Sequence, residues 1–338
     1  MAKILVFSES DDLALELVSK GKEFGAALNM ELTAALLGEG AGDKADEYFA
    51  YGADRVYVAE HPALRPFDYA QDSGQALADT STGLSAGFHA ETFAEALYQI
   101  AQQNDVQVLL LASTKRGKEL APRVAQKLEA GCITDGMAVE VQDGNLLVSR
   151  YGLGGNTVAS EFITSPCKVI AVMPRTFELG AKEARQGETV TVDLELKEPR
   201  TRIIERQEKA GEAVNLEEAE VLVCIGRGLE KKEDLAIIEE FAQALGAEIG
   251  CTRTLCADYQ WLSEERLVGL SGKKTSPRLV ISVGISGQIQ YTVGILGARV
   301  AVAINKDDQA PIFEMSDYGI VGDLYEVLPY LTERLRRG

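Results

Sequence analysis

The sequence predicts an α/β protein made of two doubly wound, mostly parallel open-sheet (Rossmann-like) domains, the first with antiparallel strand additions. Three observations predict it. Short aliphatic runs alternate with stretches whose apolar residues recur every three or four positions, over most of the first third of the chain. Some runs, Val106–Ala112 above all, are apolar almost throughout, as in strands buried on both faces. The alternation lapses in a charged middle stretch and restarts after Glu220, in a chain of 338 residues that favours two cores over one.

Taken in order, Ile4–Phe7 reads as a strand. Residues 13–24 read as a helix with Leu13, Leu17 and Phe24 on one side. Leu32–Leu37 and Arg55–Val58 are strands, and Phe93, Leu97 and Ile100 mark a helix. Strand Val106–Ala112 leads into a helix over 118–128 with Leu120, Val124 and Leu128 inward. From Ala138 the texture changes. Val139–Val141, Leu146–Val148, Val158–Phe162 and Val169–Val172 are short strands with turns such as Asp143-Gly-Asn145 between them, which predicts antiparallel additions. Residues Arg65–Ala90, rich in small and polar residues and without a period, read as a long surface excursion: a tolerated insertion or a partner-contacting loop.

The charged segment Phe177–Asn215 reads as the linker region; it contains one alternating strand, Gly187–Glu195, and then Pro199 and a run of Glu, Lys and Arg. The expected domains are therefore 1–188 and 220–338, with 189–219 as linker. In the second domain Val221–Ile225, Leu279–Val283 and Val300–Ile304 are strands. Leu235, Ile238, Phe241 and Leu245 give one helix, and Leu324, Val327, Leu328 and Leu331 a last one. Arg334, Arg336 and Arg337 stand near the negative end of that last helix.

Apolar residues make up 46% of the chain and the formal charge is −18. Nucleic acid is excluded as a partner, because phosphate would be repelled, and an anionic membrane surface fits no better. No run of about 18 apolar residues suggests membrane insertion. The N-terminus opens directly on a strand with no presequence pattern, which predicts a cytoplasmic, prokaryotic protein. Five cysteines, none in a CxxC pair, do not suggest a disulfide framework. Cys224 and Cys251 lie in apolar strand contexts and read as buried small hydrophobes. With two histidines, His61 and His89, no zinc-type ligand set can be assembled. His61 reads as a loop residue, and neither is assigned any chemistry.

Candidate chemistry gathers where strands of the second domain end. Val283-Gly-Ile-Ser-Gly-Gln-Ile-Gln-Tyr291 follows one strand: Ser286 can cap a helix or bind a phosphate, and Gly284 and Gly287 remove side chains that would keep a pyrophosphate out. Val221-Leu-Val-Cys-Ile-Gly-Arg-Gly228 ends another strand. It is no nicotinamide fingerprint, since Lys231 stands where the third glycine should. Gly152-Leu-Gly-Gly155 fails likewise at Thr157. Arg227 is a phosphate contact or a surface arginine at a turn. Gly250-Cys-Thr-Arg-Thr254 and Val268-Gly-Leu-Ser-Gly-Lys273 each place a hydroxyl and a cation at a strand end. In Ala303-Ile-Asn-Lys-Asp307, Asn305 suits a ribityl chain or an adenine edge, or is a plain turn residue. The ends of strands in one open sheet line a common crevice, the usual ligand position.

These segments, with Ala310–Phe313, Asp317–Leu324 and, in the first domain, Ser113-Thr-Lys-Arg-Gly-Lys-Glu-Leu-Ala-Pro-Arg123, resemble the alpha subunit of electron-transferring flavoproteins. The resemblance covers Lys3–Arg175 and Glu220–Leu335 in order and spacing. It implies an electron carrier that holds FAD in its second domain and forms a heterodimer with a beta subunit. The first domain packs on that subunit. The positions matching the family's flavin contacts are Arg227, Thr252, Arg253, Val268, Gly269, Leu270, Ser271, Ser286, Gly287, Gln288, Ile289, Gln290, Tyr291, Asn305, Asp323 and Leu324. By that similarity Arg253 lies over the isoalloxazine, Ser271 faces its N5 edge, and Ser286 and Asn305 hold the phosphate and ribose side. The electron donor would be an acyl-CoA-dehydrogenase-type or other flavin dehydrogenase, or NADH through the beta subunit. Ferredoxin, flavodoxin or a quinone oxidoreductase are the further redox partners. No catalytic residue and no metal are implied.

The chain departs from the family pattern at three places: Tyr291 where histidine is usual, Leu270 where glutamine is common, and the long 65–90 connection. A tyrosine that took the histidine's place at the flavin pyrimidine carbonyl would donate but stay neutral. Negative charge on the ring would then be less stabilised. An electron-bifurcating form, with a second FAD in the beta subunit, is the alternative within the class. A nucleotide-dependent enzyme would need a complete phosphate fingerprint or an acid–base pair, and a cofactor-free scaffold would be colourless with its partner.

Overall fold

The computed structural model describes residues 1–64, 88–155, 157–197, 216–217 and 219–337. Most of the excursion expected over Arg65–Ala90 lies outside them. The chain divides into two compact units, Met1–Tyr151 with Val158–Glu208, and Gly152–Thr157 with Lys209–Gly338.

The first unit is built on a nine-stranded sheet. Its strands are β1 (Lys3–Phe7), β2 (Glu31–Leu37), β3 (Arg55–Ala59), β4 (Val106–Ala112), β5 (Gly131–Gln142), β6 (Asn145–Gly152), β7 (Thr157–Phe162), β8 (Lys168–Val172) and β9 (Glu188–Thr191). They lie in the order β7-β6-β5-β8-β4-β1-β2-β3-β9. From β5 to β9 every neighbouring pair is parallel. The helices are α1 (Asp11–Leu28), α2 (Ala45–Tyr51), α3 (Ala90–Gln103) and α4 (Lys115–Lys127). Two separate apolar clusters cover the two faces of the central strands. Leu15, Val18 and Phe24 of α1 join Ile4 and Val6 in one. Phe93, Leu97 and Ile100 of α3 and Leu120 and Val124 of α4 join Leu5 and Leu109 in the other. Burial on both faces is why β1 and β4 carry apolar residues at consecutive positions.

Three expectations are corrected here. The strand at Val169–Val172 is no antiparallel addition: β8 lies parallel between β4 and β5, and the antiparallel pair is β5 with β6. Its unbroken apolar run has the composition of a central strand. The stretch expected as linker begins inside the first unit. Arg185 pairs with Asp54, Phe177 packs edge-on to Phe24 with centroids 6.0 Å apart, β9 extends the sheet beside β3, and Leu194 is buried. His89 sits not in a loose excursion but at the N-cap position of α3, 8% exposed. Beside it Phe88 packs on Phe93, with centroids 4.6 Å apart.

The second unit is a five-stranded, all-parallel sheet of β10 (Val221–Ile225), β11 (Glu248–Cys251), β12 (Leu279–Val283), β13 (Val300–Asn305) and β14 (Tyr318–Val321), in the order β11-β10-β12-β13-β14. Helices α5 (Leu235–Leu245), α6 (Ile289–Thr292) and α7 (Leu324–Arg337) complete it. Ile238 and Phe241 of α5 and Leu328 of α7 cover one face over Val223, Ile225 and Val283. Tyr291, Ile295 and Ile312 cover the other over Cys224, Val280 and Ala303. Each such aliphatic or aromatic side chain contributes about 1.5–3 kcal/mol by leaving water. Asp323 starts α7, its Oδ1 accepting from the Tyr325 N–H at 2.9 Å. The three arginines of the last turn follow the helix dipole as expected. From β10 the chain goes to β11 on one side and to β12, β13 and β14 on the other. The loops after β10 and β12 therefore diverge at the switch point where such sheets receive ligands.

Candidate flavin-binding edge

The structure brings every residue singled out in the second domain to one edge of this sheet, the carboxyl end of its strands. Thr252 and Arg253 follow β11, and Arg227 follows β10. Ser286 to Gln290 follow β12, Asn305 ends β13, and Asp323 follows β14. The loop Val268–Ser271 is stitched beside β11: Leu267 bridges to Cys251, and the Val268 N–H donates to the Cys251 carbonyl at 3.0 Å. Five strands at about 4.8 Å spacing make an edge roughly 19 Å long, suited to an elongated ligand.

Glycines close the switch point itself. The Gly226 N–H donates to the Val283 carbonyl at 3.0 Å and the Gly228 N–H to the Gly284 carbonyl at 2.9 Å. A Cβ on Gly228 would stand 2.6 Å from the Gly284 Cα. A Cβ on Gly287, which has φ +91°, would stand 2.2 Å from the Ile312 backbone nitrogen. Gly284 and Gly287 thus serve chain-to-chain packing. What reaches solvent here is polar: Ser286, Gln288 and Gln290 are exposed.

Side-chain directions sort the expected contacts. Arg227 and Arg253 are exposed and have no hydrogen-bond or ion-pair partner among the described residues, so both cations are available to an anionic ligand. Arg253 precedes a π-helical turn, Thr254–Asp258, a form that recurs at functional sites. Ser271 is exposed. Leu270 and Ile289 are 55% and 40% exposed. Their loops are joined where the Leu270 N–H donates to the Gln290 carbonyl at 2.7 Å, giving an apolar rim. Thr252 is half-buried, its N–H held by the Ile225 carbonyl.

The structure bears on five expected contacts. Val268 and Leu324 turn their side chains into the core, so they can offer a ligand only backbone atoms. Ser286 does not cap α6, whose N-cap position is Gln288. The Asn305 amide is engaged within the protein: Nδ2 donates to the Ile285 carbonyl at 2.8 Å, and Oδ1 accepts from the Asp307 N–H at 3.0 Å. Tyr291 is turned inward. It is 4% exposed, and its hydroxyl lies 2.7 Å from that of Ser282 on β12. Burial pushes the phenol well above its ordinary value, with the Cys224 thiol as a further neighbour. Burial likewise pushes the Cys224 thiol up to about 12. The hydroxyl of Tyr291 is therefore engaged by Ser282 inside the unit rather than presented at the edge.

With the edge laid out, comparison with known proteins decides the family. Residues 4–83 and 80–197 match the electron transfer flavoprotein domain, and residues 215–296 match the electron transfer flavoprotein FAD-binding domain. The chain belongs to the electron transfer flavoprotein alpha-subunit family. It is 32% identical to electron transfer flavoprotein subunit alpha of Bacillus subtilis (strain 168), over 99% of this chain and 98% of that one. Identity is also 32% to the subunit alpha of Thermoanaerobacterium thermosaccharolyticum, over 96% and 94%. It is 38% to protein FixB of Escherichia coli O127:H6, over 73% and 80%. The electron transfer flavoprotein FAD-binding match takes in Arg227, Arg253, the 268–271 loop and Ser286–Tyr291. Asn305 and Asp323 lie past its end, yet on the same edge of the same sheet.

Two features escaped sequence reasoning. Lys306, exposed directly after β13, adds a cation to the edge; its position beside Asn305 was the available signal. The Tyr291–Ser282 contact joins two residues that sequence alone does not pair, because it depends on Tyr291 folding back under its own loop.

Proposed function

We propose that this chain binds FAD along the carboxyl edge of its second sheet and works as the electron-carrying alpha subunit of a heterodimer with a beta subunit. The observation that carries the reading is the convergence of two arginines without a partner among the described residues, hydroxyls and an apolar rim on one strand-end edge, within the segment that matches the family's FAD-binding domain. This donor set fits the group. Arg227, Arg253 and Lys306 suit its phosphates and the electron-rich side of a ring. Leu270 and Ile289 suit a flat apolar face, and Ser271 and Ser286 supply hydrogen bonds. FAD, when bound, supplies reversible electron transfer; the chain supplies position, charge and exclusion of water. Electrons would come from a flavin dehydrogenase or from NADH through the beta subunit, and leave to a separate acceptor.

The test is co-purification with the beta subunit and measurement of FAD retained by wild type, Arg253→Ala and Arg227→Ala. Loss of a charge-assisted contact of about 1.5–3 kcal/mol weakens FAD binding roughly 10- to 100-fold. Full retention by both variants overturns the assignment of this edge.

A further inference from the structure

We propose that Tyr291 is a positioning residue: its phenol, bonded to Ser282 beneath the sheet's carboxyl edge, fixes the two loops that would meet the flavin without touching the flavin itself. The inference rests on the flavin-binding reading of this edge and adds the internal device that sets its geometry.

Helix α6 has four residues and no side-chain cap. A single turn does not hold itself, since one turn fixes several dihedrals for one hydrogen bond. What holds α6 is its buried tyrosine. The ring packs in the apolar cluster with Cys224, Val280 and Ala303. The hydroxyl meets Ser282, itself 1% exposed and two residues before the loop leaves β12 at Gly284. The Cys224 thiol of β10 faces the same phenol. One side chain thereby ties α6 to both strands that flank the switch point.

That tie extends to the second loop. The Gln290 carbonyl, adjacent in the chain, accepts the Leu270 N–H at 2.7 Å. Gly269, at φ +139°, lies so close that a Cβ there would be 2.1 Å from that same carbonyl oxygen. The 268–271 loop therefore cannot keep its place if residue 290 moves. Ser271 and Leu270 on one side, and Ser286 to Gln290 on the other, take their positions from a hydroxyl pair buried below them. A hydroxyl removed from such a pair leaves its partner buried and unsatisfied, so the loop has reason to shift.

The experiment measures FAD dissociation and the visible circular dichroism of bound flavin in the heterodimer, for wild type, Tyr291→Phe and Ser282→Ala. Ile238→Val, on the opposite face of the sheet, serves as a control for lost stability alone. The inference expects both hydroxyl variants to bind FAD about tenfold more weakly and to share one altered dichroism spectrum, while the control keeps both properties. If Tyr291→Phe fails to fold, Ser282→Ala, which keeps the tyrosine, carries the test. Wild-type affinity and spectrum in Ser282→Ala overturn the inference. So does an effect of Tyr291→Phe that Ser282→Ala does not reproduce, because the phenol would then act on the flavin directly. A wild-type heterodimer that holds no flavin defeats the functional reading instead and is told apart by that first measurement.

Discussion

Replacing Gly228 with alanine tests the closure of the switch point. The new Cβ would stand 2.6 Å from the Gly284 Cα and 3.0 Å from its carbonyl oxygen, both backbone atoms with no rotamer to escape through. Forcing them apart costs about 1–3 kcal/mol. The bond from the Gly228 N–H to the Gly284 carbonyl, 2.9 Å long, is put at risk, at about 0.5–1.5 kcal/mol. Alanine returns about 0.4–1 kcal/mol by restricting the unfolded chain. The balance is a loss of about 2 kcal/mol, which for a unit of this size lowers the melting temperature by roughly 8 °C. Trp261, the single tryptophan of the chain, lies in the second unit and reports the transition by fluorescence in the purified full-length chain. Gly246→Ala is the comparison: φ there is +63°, but nothing stands within 4 Å of the added carbon. It should cost only the left-handed penalty of about 1 kcal/mol and leave FAD retention in the heterodimer unchanged. Gly228→Ala should displace Gly284 and weaken FAD binding. A Gly228→Ala chain that melts no lower than Gly246→Ala and keeps its flavin would refute the backbone contact as the reason for glycine.

Other outcomes follow from local geometry. Burial raises the Glu16 carboxyl from 4.5 to about 7, against the opposing N–H of Arg175. The folded chain thus holds a proton that the unfolded chain releases, and Glu16's contribution is intact below about pH 4.5 and lost as pH rises toward 7. Glu16→Gln should be more stable than wild type at pH 8, by about 1 kcal/mol once solvent screening is allowed for, and show no advantage at pH 4.5; denaturant melts at the two pH values check it. Thr114 caps α4, accepting from the Gly117 N–H at 2.9 Å, and donates to Glu9. Thr114→Ala should cost about 1–2 kcal/mol by thermal melting. Asp323→Ala removes the cap of α7 and should cost about 1 kcal/mol in the same assay. In thiol labelling of the native chain, exposed Cys132 should react while Cys224 and Cys251, fully buried, stay silent until denaturant is added.

Much of this fold is written in local pattern. Val106–Ala112 and Val221–Ile225 announce themselves as doubly buried strands because both faces of each sheet are covered. The helix around Phe241 shows its inward stripe for the same reason. Val169–Val172 misled because pattern gives a strand but not its direction: it follows the antiparallel pair β5 and β6 in the chain, yet pairs in parallel with β4 and β5. The stretch after Phe177 misled because charge reads as solvent, whereas Arg185 spends its charge on Asp54 and draws the chain along the first unit. At the site, position along the chain was legible and side-chain direction was not. Arg227 and Arg253 point outward, as an exposed cation at a strand end should. Tyr291 and Asn305 sit in equally polar segments, yet one is buried beneath its own loop and the other bridges two loops. Only tertiary contacts decide such cases.

The most direct measurement is hydrogen exchange on the flavin-free heterodimer, with and without added FAD. Slowed exchange should be confined to the second unit, at residues 226–228, 252–254, 268–272 and 284–291. Slowing that appears only in the first unit, or nowhere in this chain, would contradict the assignment.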